Sequence, residues 1–412
     1  MIEAFYSPGV DVSRFRCGPL KPHIDDFAAE LFRLGYSPQA ARWKVRLVAD
    51  WSQWLERGQR GTRDLSEEQI SAFLKTRKHQ RLLRRGDRQT LVSLLGQLRQ
   101  RGVTPGPCET ESRHPVDQIA ADYTRFLSHQ RGLSAATVAN YLPTAERFLK
   151  TRFGTGRMRL DQLRAVDVTD FIVRDGTTMR SGRAQLVATA LRSFLGFLTE
   201  TGRVAINLAP TVPTVARWPG TEIPYFLEPE QVQKLLHGCD QSTPTGRRDY
   251  AVLLLLARLG LRGGEVAGLS LDDINWEAGE VLVRGKSARD ERLPLLPEVG
   301  QALARYLKED RPACACRRVF LRIKAPRQGF SSSVAICDIL RRALRRADLH
   351  PEHQGAHLLR RSLATQMLRG GASLTQIAQV LRHQLVQTTE IYAKVDIAAL
   401  RALAQPWPGG AQ

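Results

Sequence analysis

An internal repeat constrains this chain more than any other feature of its sequence. LGYSPQAARWKVRLVADWSQWL (34 to 55) lies on RGLSAATVANYLPTAERFLKTR (131 to 152), with Gly35 on Gly132, Ser37 on Ser134 and Trp51 on Phe148. LSEEQISAFL (65 to 74) then falls on LRAVDVTDFI (163 to 172), and TLVSLLGQLRQRG (90 to 102) on ALRSFLGFLTETG (190 to 202). The separation drifts only from 97 residues (Gly35 to Gly132) to 100 (Gly102 to Gly202), so the copies differ by small insertions in loops. Each copy reads as helices: a Ser cap before an apolar-periodic run, a second short helix ending in Phe73 or Phe171, and a last helix stopped by Gly102 or Gly202. Two tandem all-helical modules follow, at about 20 to 105 and 116 to 208.

TPGPCETESRHP (104 to 115) separates the copies, and LAPTVPTVARWPGTEIP (208 to 224) follows the second; both are rich in proline and lack periodicity. The expected organisation is an N-terminal helical module over 1–112, a second over 113–210, a linker over 211–224, and a domain of different character over 225–405 with a C-terminal tail. In that last part, LEPEQVQKLLHG, RRDYAVLLLLARLGL, SVAICDILRRALRRADL, GAHLLRRSLATQMLRGG and SLTQIAQVLRHQ read as helices. INWEAGEVLVRGKSARDERLPL alternates and is broken at EAG and GKSARD, as a small three-stranded meander would be. The fold class is therefore mainly α with a small β-sheet.

Charge narrows the partner. Lys and Arg number 61 against 41 Asp and Glu, a net charge of +20, and the excess recurs in clusters such as KHQRLLRRGDRQ (78 to 89) and RRALRR (341 to 346). Such a surface favours a polyanion, because each phosphate it neutralises releases condensed counterions. Double-stranded DNA is the leading candidate, with Arg42, Lys44, Arg46, Arg84, Arg85 and Arg88 in the first copy and Arg183 and Arg192 in the second as its contacts. A membrane surface is disfavoured because the basic clusters join no long apolar face. The longest apolar run, AVLLLLA (251 to 257), has seven residues, far short of the ~18 needed to cross a bilayer. MIEAFYSPGVDVSRF lacks the pattern of a secretion signal, so a cytoplasmic, nucleoid-associated location is expected. The six cysteines are scattered, and no Cys or His completes a metal set with His353 and His357.

The turns and helix starts of the C-terminal part display Arg262, Lys286, His357, Arg360, His383 and Tyr392. Two guanidiniums can grip the non-bridging oxygens of a phosphodiester, a tyrosine can form a covalent phosphoester, and a lysine or histidine can protonate the departing oxygen. That set performs phosphoryl transfer without a metal. Any one of these residues alone would be an ordinary surface or core group; their order along the chain is what carries weight.

With these residues in view, the chain resembles the tyrosine recombinase or phage integrase family. G-A-H-L-L-R-R-S (355 to 362) is similar to its H-x-x-R box, L-R-H-Q-L-V-Q-T-T-E-I-Y (381 to 392) to its L-G-H…T-T-x-x-Y box, G-L-R-G-G-E (260 to 265) to its first arginine box, and R-G-K-S-A-R-D-E-R-L-P-L (284 to 295) to its lysine hairpin. The module at 116 to 208 resembles the family's core-binding domain, a SAM-like DNA-binding module. The resemblance implies that Arg262 and Arg360 clamp the scissile phosphate, that His357 assists proton transfer and that His383 hydrogen-bonds the phosphate. It implies Lys286 as general acid for the 5′ oxygen, Tyr392 as nucleophile forming a 3′-phosphotyrosyl link, and Glu265 as a buttress of the first arginine box. Neither metal nor ATP is required. Four protomers would exchange strands between inverted-repeat DNA sites through a Holliday junction, two on each site, in the service of a mobile element. By analogy the tail with Ile397, Leu400 and Leu403 packs on a neighbouring protomer.

Two positions depart from the family pattern. Arg382 replaces the usual glycine before the second histidine, and Arg361 stands where a histidine is frequent; each is expected to add a cation near the phosphate path. Two other readings of the sequence remain: a type IB topoisomerase-like enzyme that relaxes DNA, and a non-catalytic DNA-binding accessory protein.

Overall fold

Ser37 and Ser134 begin equivalent helices in the computed structural model, which describes the chain apart from residues 81–82, 85, 107–114, 155, 157, 177–178, 180, 215–223, 286–289, 384, 386 and 396–412. Ser37 accepts the backbone N–H of Ala40, and Ser134 that of Thr137; each satisfies a donor that a helix start leaves without an intrahelical partner. The first helical set is α1 (Lys21–Arg33), α2 (Pro38–Arg57), α3 (Glu67–Gln80) and α4 (Asp87–Gln100). The second is α5 (Pro115–Arg125), α6 (Ala135–Phe153), α7 (Ala165–Gly176) and α8 (Ser181–Glu200). Residues matched in sequence occupy matched places. Gly35 and Gly132 both take positive φ (71° and 58°) at the turn into the second helix of each set, a conformation glycine adopts without steric penalty. Trp51, Phe73 and Leu91 are buried in the core of the first set, and Phe148, Phe171 and Leu191 in that of the second.

The chain divides into two compact units, Pro107–Thr221 being one and Met1–Gly106 with Glu222–Gln412 the other. The α5–α8 set makes up the former. Within the latter, the N–H of Arg327 donates to the carbonyl of Leu34 at 2.9 Å, so the end of α1 touches the C-terminal part directly.

That C-terminal part is built around α10 (Pro244–Arg258). Thr243 caps it by accepting the N–H of Gly246, Pro244 opens its first turn, and residues 251–257 are all buried. A helix apolar all round must be covered on every side, and α10 packs against α9 (Pro229–His237), α11 (Gly263–Gly268), α12 (Pro297–Arg305), α13 (Ser333–Arg346) and α14 (His357–Arg369). Each fully buried leucine there contributes about 2 kcal/mol. The sheet is antiparallel in the order β1 (Ile274–Asn275), β2 (Glu280–Arg284), β3 (Asp290–Pro294). Ile274 pairs with Val281 and Val281 with Leu293, which turns Val281 and Val283 into the core. The expected meander is thus present, and the fold is mainly helical with this one small sheet. Two short helices, α15 (Leu374–Leu381) and α16 (Gln387–Glu390), follow α14, and a 3-10 turn at Ile391–Val395 ends the described chain. Among the described residues no helix is long and apolar enough to cross a membrane.

Candidate functional site

Arg360 is the anchor of the site. His357 and Arg360 stand one turn apart on one face of α14, and Arg360, 3% exposed, points inward. Its guanidinium donates to the carbonyl of Gly260 at 2.5 Å and to that of Leu381. Gly260 has positive φ (58°), and a Cβ there would meet Leu381 Cδ2 at 2.8 Å. Glycine therefore lets the chain after α10 pass close to the end of α15 and deliver Arg262.

Arg262 sits at the N-cap of α11 in extended conformation. Its backbone N–H and its Nη1 donate to the two oxygens of Glu265, each at 2.8 Å, and Nη2 reaches the carbonyl of Arg382 at 3.5 Å. The Glu265 side chain is only 6% exposed. Burial raises its pKa, but the Arg262 N–H and the charges of Arg382 and Arg262 outweigh burial and hold it below the usual carboxylate range.

His383 is placed by the way α15 begins and ends. Ser373 and Gln376 cap each other's backbone at its start. At its end the N–H of Arg382 bonds Gln379 and that of His383 bonds Ala378, with Arg382 left-handed at φ 55°, ψ 48°; this is a Schellman closure, where glycine is usual. The reversal brings the His383 ring beside Thr389, whose hydroxyl meets Nδ1 at 2.7 Å. That contact fixes the ring and leaves Nε2 as its other polar atom. Tyr392, 3% exposed, packs with Ala364, Ile377 and Leu381. Its ring centroid lies 6.5 Å from that of His383.

The electrostatics share one direction. Desolvation, then the charges of Arg262 and Arg382, brings Arg360 down to about 10. His383 is brought down to about 4 by desolvation and the charges of Arg360, Arg262 and Arg382. Desolvation by its neighbours, reinforced by Arg360, Arg361 and Arg262, lowers His357 even though that residue keeps an exposed face. Burial pushes the Tyr392 phenol up, against the pull of Arg360 and Arg361. Around neutral pH the site therefore holds two neutral imidazoles, a protonated phenol and an excess of guanidinium charge over carboxylate. That excess is complementary to the charge of a phosphodiester.

Arg262, His357, Arg360, His383, Tyr392 and Glu265 are thus brought together. Lys286, which follows β2 in the sequence, lies outside the described residues, as do Arg85 and the tail with Ile397, Leu400 and Leu403. The Arg382 side chain, 4% exposed, bonds Glu265 at 2.8 Å, and its charge acts on Arg360 and His383. Arg361 lies over the ring of Tyr225 at 4.1 Å, and Tyr225 in turn packs against His353, the rings tilted by 34° with centroids 3.9 Å apart. Sequence reasoning gave no role to Thr389 or Tyr225. Thr389 had a signal in the T-T-E-I-Y stretch; Tyr225, at the edge of the proline-rich strap, had none.

The basic residues of the helical sets divide by exposure. Arg46, Arg84, Arg88 and Arg183 are exposed, although Arg84 also covers the ring of Trp43 at 3.7 Å and Arg88 donates to Ser71. Arg42 is half-buried against Pro38 and Tyr6. Lys44 donates to Thr90 at 2.6 Å and Arg192 to the carbonyls of Val212 and Pro213, so both hold their modules together. Among the described residues no cluster of His, Cys, Asp and Glu has the makings of a metal site.

Residues 225–398 match the phage integrase family. The chain is 44% identical over 409 residues to the integrase/recombinase y4rA of Sinorhizobium fredii, covering 99% of both proteins. It is 32% identical to the tyrosine recombinase XerD of Mycobacterium tuberculosis, over 70% of this chain and 95% of that protein. In fold it is similar to the XerH site-specific recombinase bound to palindromic difH substrate in a post-cleavage complex, with a TM-score of 0.55 at 18% identity, over 76% of this chain and 87% of that one. The chain belongs to the phage integrase family of tyrosine recombinases, a class of DNA strand-transferring enzymes.

Proposed function

We propose that this protein cuts and rejoins DNA at specific sites through a 3′-phosphotyrosyl intermediate, using neither metal nor ATP. The observation that carries the reading is the excess positive charge left when the Glu265 carboxylate is set against Arg262, Arg360 and Arg382, with Arg262 and Arg360 gathered from segments about 100 residues apart in sequence beside His357, His383 and Tyr392. Arg262 and Arg360 hold the non-bridging oxygens of the scissile phosphate and stabilise the charge of the five-coordinate transition state. The Tyr392 oxygen bonds to phosphorus as the bond to the 5′ oxygen breaks; neutral His357 accepts the phenol proton, Lys286 protonates the leaving 5′ oxygen, and His383 donates to the phosphate from Nε2. Reversal with a 5′ hydroxyl from another duplex joins the strands anew.

Two protomers on one inverted-repeat site and four in the synapse would complete two rounds of exchange through a Holliday junction. The palindromic substrate of XerH supports the symmetric site. The integrase/recombinase name of the full-length relative from Sinorhizobium fredii supports a mobile-element integrase or transposase. The exposed Arg46, Arg84, Arg88 and Arg183, and Arg85 with them, supply phosphate contacts outside the core.

The test is strand exchange between two duplexes carrying the inverted repeats that flank the gene, in EDTA and without nucleotide. Joined products support the proposal. Relaxation of site-free supercoiled plasmid with no exchange identifies a topoisomerase-like enzyme instead, and binding without cleavage an accessory protein.

A further inference from the structure

Arg382 has a geometry that its backbone alone gives no reason for. Its left-handed conformation disfavours any side chain and suits glycine, yet an arginine occupies it and buries its guanidinium. Nη2 donates to Glu265 Oε2 at 2.8 Å, Nε lies 4.0 Å from Glu291 Oε2 on β3, and its carbonyl accepts from Arg262 Nη2 at 3.5 Å. Glu265 also accepts from the backbone N–H and Nη1 of Arg262. One carboxylate is thus held between two guanidiniums. The Arg262 N–H and the buried Arg382 cation both hold Oε2, which keeps Oε1 directed at Arg262 Nη1.

We propose that Arg382 is a positioning residue: through the carboxylate of Glu265 and through its own carbonyl it fixes the Arg262 guanidinium in the orientation that receives the phosphate. Its contact with Glu291 ties the same cluster to β3, the strand that follows Lys286 in the sequence. This inference rests on the reading of Arg262 as a phosphate clamp. Misplacement of a clamping group slows the chemical step far more than it weakens binding, because duplex affinity is spread over many phosphate contacts while the transition state depends on one.

The test is single-turnover cleavage of a nicked duplex carrying the recombination site, which traps the cut strand on the protein. Arg382→Gly, which relieves the backbone, is expected to slow cleavage about tenfold to hundredfold while duplex affinity stays within about twofold. Arg382→Gln carries the same expectation should the glycine variant fail to fold. In a Glu265→Gln background the further loss from Arg382→Gly should shrink to less than about threefold, since the residue acts through Glu265. The acid limb of the rate profile should move to higher pH in Arg382→Gly, because Glu265 loses a cation that keeps it ionised. Cleavage at the parental rate in both Arg382 variants, or losses that multiply fully in the Glu265→Gln background, would overturn the proposal. Arg262→Ala separates the two claims: undiminished cleavage in that variant removes the clamp reading itself, whereas its inactivity beside unimpaired Arg382 variants removes only the inference about Arg382.

Discussion

The imidazole of His383 and the phenol ring of Tyr392 lie 7° from parallel, with centroids 6.5 Å apart. Two elements deliver them: the left-handed stop of α15 turns the histidine, and the 3-10 turn after α16 presents the tyrosine. Thr389, fully buried, holds His383 Nδ1 from the segment between them. The proposed nucleophile and the proposed donor to the phosphate are therefore parts of one small cluster, and displacement of α16 moves both.

The pH dependence of stability follows from His383. Its folded pKa, about 4, is depressed from the ordinary 6.5. The unfolded chain therefore binds a proton that the folded chain refuses, and the stability gained by keeping the ring neutral is complete above about pH 6.5 and lost as pH falls through about 4. His383→Asn should flatten the fall of melting temperature over that window. An identical acid-side fall in the variant would show that the ring is not desolvated among guanidiniums.

Arg360 and Arg262 should separate in a stability measurement although both are proposed to clamp the same phosphate. Arg360→Met leaves the buried carbonyls of Gly260 and Leu381 without their donor, at a cost of about 1–3 kcal/mol. Arg262 is 35% exposed in its side chain, and Arg262→Ala leaves Glu265 its bond to Arg382, so a change below about 1 kcal/mol is expected. Denaturant unfolding of the two variants checks the contrast.

The helical sets should respond to removal of their caps. Ser134→Ala removes the acceptor for Thr137 at the head of α6, and Ser37→Ala the acceptor for Ala40 at the head of α2. Each is expected to destabilise its own unit by about 1 kcal/mol, read as separate shifts in hydrogen exchange of α6 and α2.

Binding of DNA by the first helical set is tested without deleting it. Because Leu34 bonds Arg327, removing the set would disturb the C-terminal part as well. Arg46→Gln, Arg84→Gln and Arg88→Gln together should flatten the slope of log affinity against log salt by about 0.9 for each phosphate no longer neutralised, and shorten the protected footprint. An unchanged slope would assign this face to something other than a duplex.

Much of this is legible in the sequence because it is local. Ser37 and Ser134 read as caps, Gly35 and Gly132 as turns and the EAG turn as part of a meander, since turn and cap chemistry is written in a few adjacent residues. The spacing of His357 and Arg360 places them on one helical face for the same reason. What the sequence does not disclose depends on partners distant in the chain. Lys44 and Arg192 have the composition of phosphate contacts, and the bonds that Lys44 Nζ makes to Thr90 and Arg192 Nη2 to Val212 and Pro213 are not written in their neighbours. Arg382 reads as one more cation near the phosphate, and only Glu265, 117 residues away, explains where its charge is directed.

The central claim is that Tyr392 makes the covalent bond to DNA. The most direct measurement is trapping on a nicked duplex carrying the recombination site, with the parent protein and Tyr392→Phe compared at equal occupancy. The account predicts a protein–DNA adduct for the parent, its attachment mapped to residue 392, and none for the variant, whose affinity is unchanged. An adduct that persists in Tyr392→Phe would contradict it.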